Sequence, residues 1–130
     1  MLRYMFQYKF SILLALVIAL LSLAPSSRLP DSVLYSIPYI DKIAHCAMYG
    51  SLCFVALMES RCSRQCTVYY IIIILGILVA SALIEILQAT VVQSRAAEWT
   101  DLLANSLGLL AGYLAFRLIG GFRIFHFLKS

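Results

Sequence analysis

Two short groups of residues at helical spacing could carry out chemistry. Asp41 and His45 are one helical turn apart, Tyr49 follows one turn later, and Glu85 and Gln88 form a separate pair. An imidazole can both give and take a proton, and a carboxylate can fix its tautomer, which makes His45 with Asp41 a candidate general acid or base. These residues predict acid–base chemistry or hydrogen bonding to a polar ligand.

A third group combines a cation, two acids, an amide and two glycines. In order, its members are Arg95, Glu98, Asp101, Asn105, Gly108 and Gly112. A guanidinium binds phosphate or carboxylate through two parallel hydrogen bonds, and Lys42 could add a flexible positive charge. Small residues four positions apart let another helix approach closely, so Gly108 and Gly112 are predicted helix-packing positions.

The three groups together define a hypothetical site. The predicted catalytic residues are His45, Asp41, Glu85 and Asp101, and the predicted ligand-binding residues are Arg95, Lys42, Tyr49, Gln88, Glu98 and Asn105. His45, Glu85 and Asp101 also offer nitrogen and oxygen donors that suit a divalent cation, although the sequence requires no cofactor. Cys62 and Cys66 could supply two metal ligands, but no nearby residue completes a tetrahedral set.

Composition identifies the elements that must hold these residues. Of the 130 residues, 63% are hydrophobic and 12% are charged, and the mean hydropathy is +0.95. Soluble domains are about 45–50% apolar and about 25% charged. The chain is therefore predicted to be an all-α integral membrane protein. The net charge of +4 does not indicate nucleic-acid binding, because the basic residues are scattered between apolar runs.

Four apolar stretches predict a single domain, residues 1–130, with four membrane spans in a compact bundle. The predicted spans are 8–25, 40–58, 67–88 and 101–120. Seven of the ten Lys and Arg residues fall on the side that holds both termini, which predicts cytoplasmic termini. The first span has an alternative interpretation as a cleaved signal peptide, but Pro25 and Pro30 favour a helix end followed by a loop.

The predicted topology brings the polar groups to one side. Five of the six acids fall at the outer ends of spans or in outer loops, and only Glu59 falls on the cytoplasmic side. Buried charges favour pairing inside a bundle. The expected pairs are Arg95 with Glu85 or Asp101, His45 with Asp41, and Asn105 with Gln88. The same polar residues would also suit a structural role, in which they only lock neighbouring helices together.

These motifs resemble the VanZ-like family of small bacterial membrane proteins. The resemblance is carried by DKIAHCAMY, EILQ and RAAEWTDLLANSLGLLAG, in that order, over about residues 38 to 115. The family is named for an accessory protein associated with teicoplanin resistance. The resemblance implies a bacterial inner-membrane protein with an envelope-related role and an effect on lipoglycopeptide susceptibility. It supplies no known reaction.

Two function classes follow from the residues and the resemblance together. The first is an enzyme or binder that acts on a lipid-linked or amphiphilic envelope molecule, such as a lipid-linked precursor or a lipoglycopeptide, at the outer surface of the bilayer. The second is a structural or partner-binding membrane protein. A proton path is disfavoured, because the cytoplasmic halves of the spans carry no matching acids or histidines. Catalysis and oligomeric state stay open.

Overall fold

The computed structural model describes residues 6–24, 39–60, 67–91 and 98–119 as an all-α protein, which confirms the predicted fold class. The four helices are α1 (Lys9–Leu23), α2 (Ile40–Glu59), α3 (Thr67–Val91) and α4 (Trp99–Ile119). No strand occurs in these four ranges. Helix α3 extends three residues beyond its predicted span, through Ala89, Thr90 and Val91.

The helices have the length and composition of membrane spans. Helices α2, α3 and α4 contain windows with mean hydropathy 1.3, 2.7 and 1.6, and each is long enough to cross a membrane. Helix α1 has 15 residues and is therefore roughly 22 Å long at ~1.5 Å per residue, shorter than a hydrocarbon core of about 30 Å. The protein is a membrane protein; that α1 crosses fully and that both termini are cytoplasmic stay predictions.

Contacts between helix ends show that helices consecutive in the chain run in opposite directions. Glu59 at the end of α2 contacts Ser11 near the start of α1, and Gln88 near the end of α3 contacts Ser22 near the end of α1. Helices α1 and α3 therefore end where α2 and α4 begin. We call this end of the bundle the polar end, and the other the Glu59 end.

Helices α2 and α4 run parallel and pack closely through glycines. A methyl group at Gly108 would overlap the carbonyl oxygen of Cys46, and one at Gly112 would overlap that of Gly50. The two backbones are therefore in direct contact, as small residues allow in membrane helices. This glycine seam, formed by Gly50, Gly108 and Gly112, holds the first turns of α2 and α4 side by side at the polar end.

The bundle is apolar inside and outside. Its buried apolar core consists of Ile18, Tyr49, Leu52, Cys53, Leu57, Tyr70 and Leu109. Many large hydrophobic side chains face outward, among them Leu20 at 73% and Val68 at 72% exposure. In water each would cost roughly 25 cal/mol per Å² of apolar surface left uncovered, whereas the hydrocarbon of a bilayer removes that cost.

Candidate functional site

A buried polar cluster joins three helices at the polar end. The Nδ1 atom of His45 on α2 lies 3.0 Å from Oδ1 of Asn105 on α4 and 3.6 Å from Oε1 of Glu85 on α3. None of these three residues is more than 7% exposed. We call His45, Glu85 and Asn105 the inner network. The structure thus brings together residues that are 40 and 60 positions apart from His45.

Charged residues surround the inner network and reach the surface. Lys42 Nζ lies 2.9 Å from Oε2 of Glu98 and 3.3 Å from Oδ1 of Asp101, so one ammonium bridges two carboxylates. The hydroxyl of Thr100 also donates to Glu98, at 3.0 Å. Asp41 is the fourth member, and its side chain is 44% exposed. We call Asp41, Lys42, Glu98 and Asp101 the acidic rim.

The helix starts explain why acids collect here. Asp41 lies in the first turn of α2 and Asp101 in the first turn of α4. The N-terminus of a helix carries a partial positive charge, which stabilises a carboxylate in its first turn. The Asp101 N–H donates to the Glu98 carbonyl at 3.0 Å, so the chain already turns helically at Glu98. Two parallel helix starts side by side therefore favour this pair of acids.

The structure contradicts one predicted pairing, and it places Asp41 beside His45 at ion-pair distance rather than in a hydrogen bond. The prediction that Asn105 pairs with Gln88 is wrong: Asn105 contacts His45, and Gln88 donates its Nε2 hydrogen to the carbonyl oxygen of Ser22 at 2.6 Å. Gln88 therefore ties α3 to α1, through a backbone group that no side-chain pattern reveals. His45 is held mainly by Asn105, because Asp41 Oδ1 is 3.9 Å from His45 Nε2, beyond hydrogen-bonding distance.

The contacts of His45 define its chemistry. Asn105 Oδ1 is only an acceptor, so His45 Nδ1 carries the proton and donates it. In the neutral imidazole the lone pair is then on Nε2, on the side of Asp41. A histidine with a free lone pair on Nε2 can accept a proton or bind a cation there. In both roles, a hydrogen bond donated by the other ring nitrogen usually fixes the orientation of the ring.

A divalent cation is compatible with the same place. Donor atoms of Asp41, His45 and Asp101 lie within 4.8 Å of one another. The sequence suggested Glu85 in place of Asp41, but Glu85 faces the Nδ1 side of the ring, which is already used by Asn105. The nitrogen and carboxylate oxygens suit several divalent metals. Lys42 adds a competing positive charge at Asp101.

One buried polar group in the site lacks a partner. The Nδ2 atom of Asn105 is buried and donates no hydrogen bond, although the residue is 0% exposed. An unpaired buried donor costs about 1–3 kcal/mol. An acceptor oxygen of a ligand, or of water, placed beside Asn105 would remove this cost.

The remaining predicted site residues have different positions. Tyr49 is 2% exposed, and its ring is stacked with that of His45 at a centroid separation of 6.4 Å. Gly108 and Gly112 lie in the glycine seam. Arg95, the predicted anion-binding residue, and Cys62 and Cys66 lie outside the described residues.

The fold and this site define a class: a small helical membrane protein with a buried polar network and an acidic rim at one end of its bundle. The family model described as VanZ/LLP1 matches residues 1–120. The chain therefore belongs to the VanZ/LLP1 family, as its motifs predict. No curated protein and no solved structure matches the chain.

Proposed function

We propose that this protein binds the polar headgroup of a lipid-linked or otherwise amphiphilic envelope molecule at the polar end of its bundle. One observation carries the proposal: a buried network with an unpaired Asn105 amide adjoins an acidic rim that reaches the surface. A bundle held together only by polar contacts would need far fewer charges. With both termini in the cytoplasm, the rim lies at the headgroup depth of the outer leaflet.

The charges of the rim indicate the chemistry of the headgroup. Its four members are three carboxylates and one ammonium, and Glu85 adds a carboxyl group behind them. Carboxylates accept hydrogen bonds, whereas Asn105 Nδ2 offers one. A headgroup rich in hydroxyl groups both donates and accepts, so it satisfies both. Arg95 retains its predicted role as the contact for a phosphate or carboxylate of the same molecule.

Catalysis is a further step that the same geometry supports. The unprotonated Nε2 of His45 could accept a proton from a hydroxyl of a ligand held by the rim. Alternatively, a divalent cation held by Asp41, His45 and Asp101 could bind ligand oxygens. In either case the ligand reaches His45 from the side of Asp41, because the opposite ring nitrogen is hydrogen-bonded.

The family suggests the biological setting for this binding. A VanZ-type protein in the inner membrane would act on the cell envelope, and its proposed effect is on susceptibility to teicoplanin. The test is a host in which expression of this chain raises tolerance to teicoplanin, with membrane abundance of the protein measured in parallel. Asp41→Asn and Asp101→Asn remove rim charge and keep side-chain size.

Both variants are expected to lose the tolerance effect at normal abundance. Glu59→Gln is the matched control, because it makes the same type of change at the other end of the bundle. If the rim variants and His45→Ala all keep full tolerance, the polar end does not bind the relevant molecule. If Glu59→Gln abolishes tolerance equally, the effect is not specific to the rim.

The second candidate is a structural role, which the burial of the inner network favours. His45, Glu85 and Asn105 are each nearly inaccessible, and His45 contacts the other two across three helices. A structural lock predicts that Glu85→Gln is tolerated, since a neutral amide still makes hydrogen bonds. It also predicts that loss of function always follows loss of abundance. Normal abundance with lost function supports binding instead.

A further inference from the structure

An apolar crevice of about 310 Å³ lies between α1, α2 and α3. It is lined almost wholly by apolar side chains, among them Ala15, Tyr49, Leu52, Gly76, Ile77 and Ala80. This volume is at the lower end of the ~300–1,000 Å³ found for small-molecule clefts. An apolar space of this kind does not retain water, because water needs several polar partners.

The crevice has a closed floor and a mouth on the outside of the bundle. Leu52 and Ala56 on α2 form part of the buried floor, and Ile72 and Gly76 on α3 are exposed at the mouth. A methyl group added to Gly76 would meet no atom within 4 Å. The mouth of the crevice therefore faces the hydrocarbon of the bilayer, and the small residue at position 76 keeps it wide.

The length of the crevice matches one leaflet. Its lining residues on α3 run from Ile72 to Ile84, which is roughly 18 Å along the helix at ~1.5 Å per residue. One leaflet contributes about 15 Å of the ~30 Å hydrocarbon core. The crevice is therefore about as long as one extended hydrocarbon chain.

The crevice continues directly from the inner network. Ile84, at its end nearest the polar end, precedes Glu85 in the chain. Tyr49 belongs to both places, because it lines the crevice and its ring stacks with that of His45. A molecule with a polar head at the rim would therefore have its apolar part at the start of the crevice.

We propose that this crevice binds one hydrocarbon chain of the amphiphile whose headgroup contacts the acidic rim. The inference rests on the proposed headgroup site and adds the apolar part of the same ligand. It predicts an amphiphile with at least one extended acyl or similar chain. The chain enters sideways from the bilayer through the mouth at Gly76, and the headgroup stays at the surface.

The test is photo-crosslinking of the full chain in vesicles. The probe is a diglucosyl diacylglycerol with a diazirine at the end of one acyl chain, at low mole fraction in phosphatidylglycerol and phosphatidylethanolamine. Adducts at the floor residues Leu52 and Ala56 are compared with adducts at Leu107 and Leu114, which are exposed on α4. The floor residues are expected to be labelled at least as strongly as this reference pair.

Gly76→Leu places a side chain at the mouth, where its Cβ meets no atom within 4 Å, and is expected to lower floor labelling at least fivefold, with reference labelling unchanged. Ala111→Leu is the matched control, because it adds comparable bulk at an exposed position of α4, away from the crevice. It should leave both signals unchanged. An unchanged melting temperature of Gly76→Leu shows that its effect is local.

The outcomes separate the two proposals. Asp101→Asn is expected to lower floor labelling by this probe, because head and chain belong to one molecule. Floor residues that stay unlabelled in the unmodified protein, or labelling that Gly76→Leu does not change, would overturn the crevice assignment even if rim variants abolish tolerance. Labelling that depends on Gly76 but not on Asp101 would leave a chain site and overturn its link to the headgroup site.

Discussion

The two ends of the bundle use carboxylates in opposite ways. At the Glu59 end, a single carboxylate accepts hydrogen bonds from the backbone N–H groups of Phe10 and Ser11, at 3.0 and 2.9 Å, and from the Ser11 hydroxyl. These are N–H groups that the first turn of a helix leaves unpaired. Glu59 therefore caps α1 from another helix, and its oxygens are fully used by the fold.

At the polar end, four carboxyl groups gather around one described ammonium and one buried amide. Among the described residues there, Lys42 is the one cation beside Asp41, Glu85, Glu98 and Asp101. Asn105 keeps an unused donor in the same place. The difference teaches that a hydrogen-bonded acid in a small membrane bundle is not by itself a sign of function. A cluster of acids next to an unpaired buried donor is a stronger sign.

The largest expected effect comes from separating the two helices that carry the polar end. Gly108→Leu would place a side chain against the Cys46 carbonyl, one residue from His45. Overpacking costs about 1–3 kcal/mol or more, and here backbone must move. We expect strong loss of membrane abundance and of tolerance to teicoplanin, measured by immunoblot and growth.

Gly76→Leu is the control for this change, since it inserts the same side chain where space is open. It should retain normal abundance. Normal abundance of Gly108→Leu would show that α2 and α4 do not pack through this contact.

The next effect is expected from the inner network. Asn105→Ala removes the hydrogen bond to His45 Nδ1 and leaves a buried donor beside Glu85. A buried donor without a partner costs about 1–3 kcal/mol. We expect a lower melting temperature in detergent micelles and loss of tolerance together. Asn105→Asp keeps an acceptor for His45 and should recover much of the stability, and equal stability of all three proteins would argue against a structural contribution of Asn105.

A smaller effect is expected at the Glu59 end. Glu59→Ala removes the cap from the start of α1 and should destabilise the protein by about 1 kcal/mol, the usual value for a lost helix cap. Its melting temperature should fall, while labelling by the glycolipid probe stays normal. Loss of probe labelling without loss of stability would mean that the Glu59 end also takes part in ligand binding, and the comparison between the ends would fail.

The smallest effect on stability is expected from the exposed part of the rim. Glu98→Gln removes one of the two carboxylates bridged by Lys42, and the Glu98 side chain is 57% exposed. Exposed ion pairs contribute little because water and salt screen them. We expect no measurable change in melting temperature but weaker binding of the glycolipid probe. A melting temperature that falls as far as that of Asn105→Ala would assign Glu98 to the structural network.

Much of the fold could be predicted because its causes are local in the sequence. Apolar runs of membrane length identify the helices, and the spacing of Asp101, Asn105, Gly108 and Gly112 identifies one face of α4, whose four members are all buried. The convergence of His45, Glu85 and Asp101 could be predicted from the alternating direction of the spans. Helical spacing and span direction are enough for these conclusions.

The individual pairings could not be predicted. Gln88 bonds to the Ser22 carbonyl, and Glu59 bonds to backbone N–H groups of α1. Every residue carries such backbone groups, so no residue type marks them in the sequence. His45 had several candidate partners at the same depth, and only the rotation and separation of the helices select Asn105.

The sequence by itself determined that this is a helical membrane protein of the VanZ/LLP1 family with polar residues at one depth, because hydropathy and helical spacing act along the chain. The tertiary structure alone decided which polar groups contact one another and where the crevice lies. Those properties depend on distances between helices, which the glycine seam sets to backbone contact between α2 and α4.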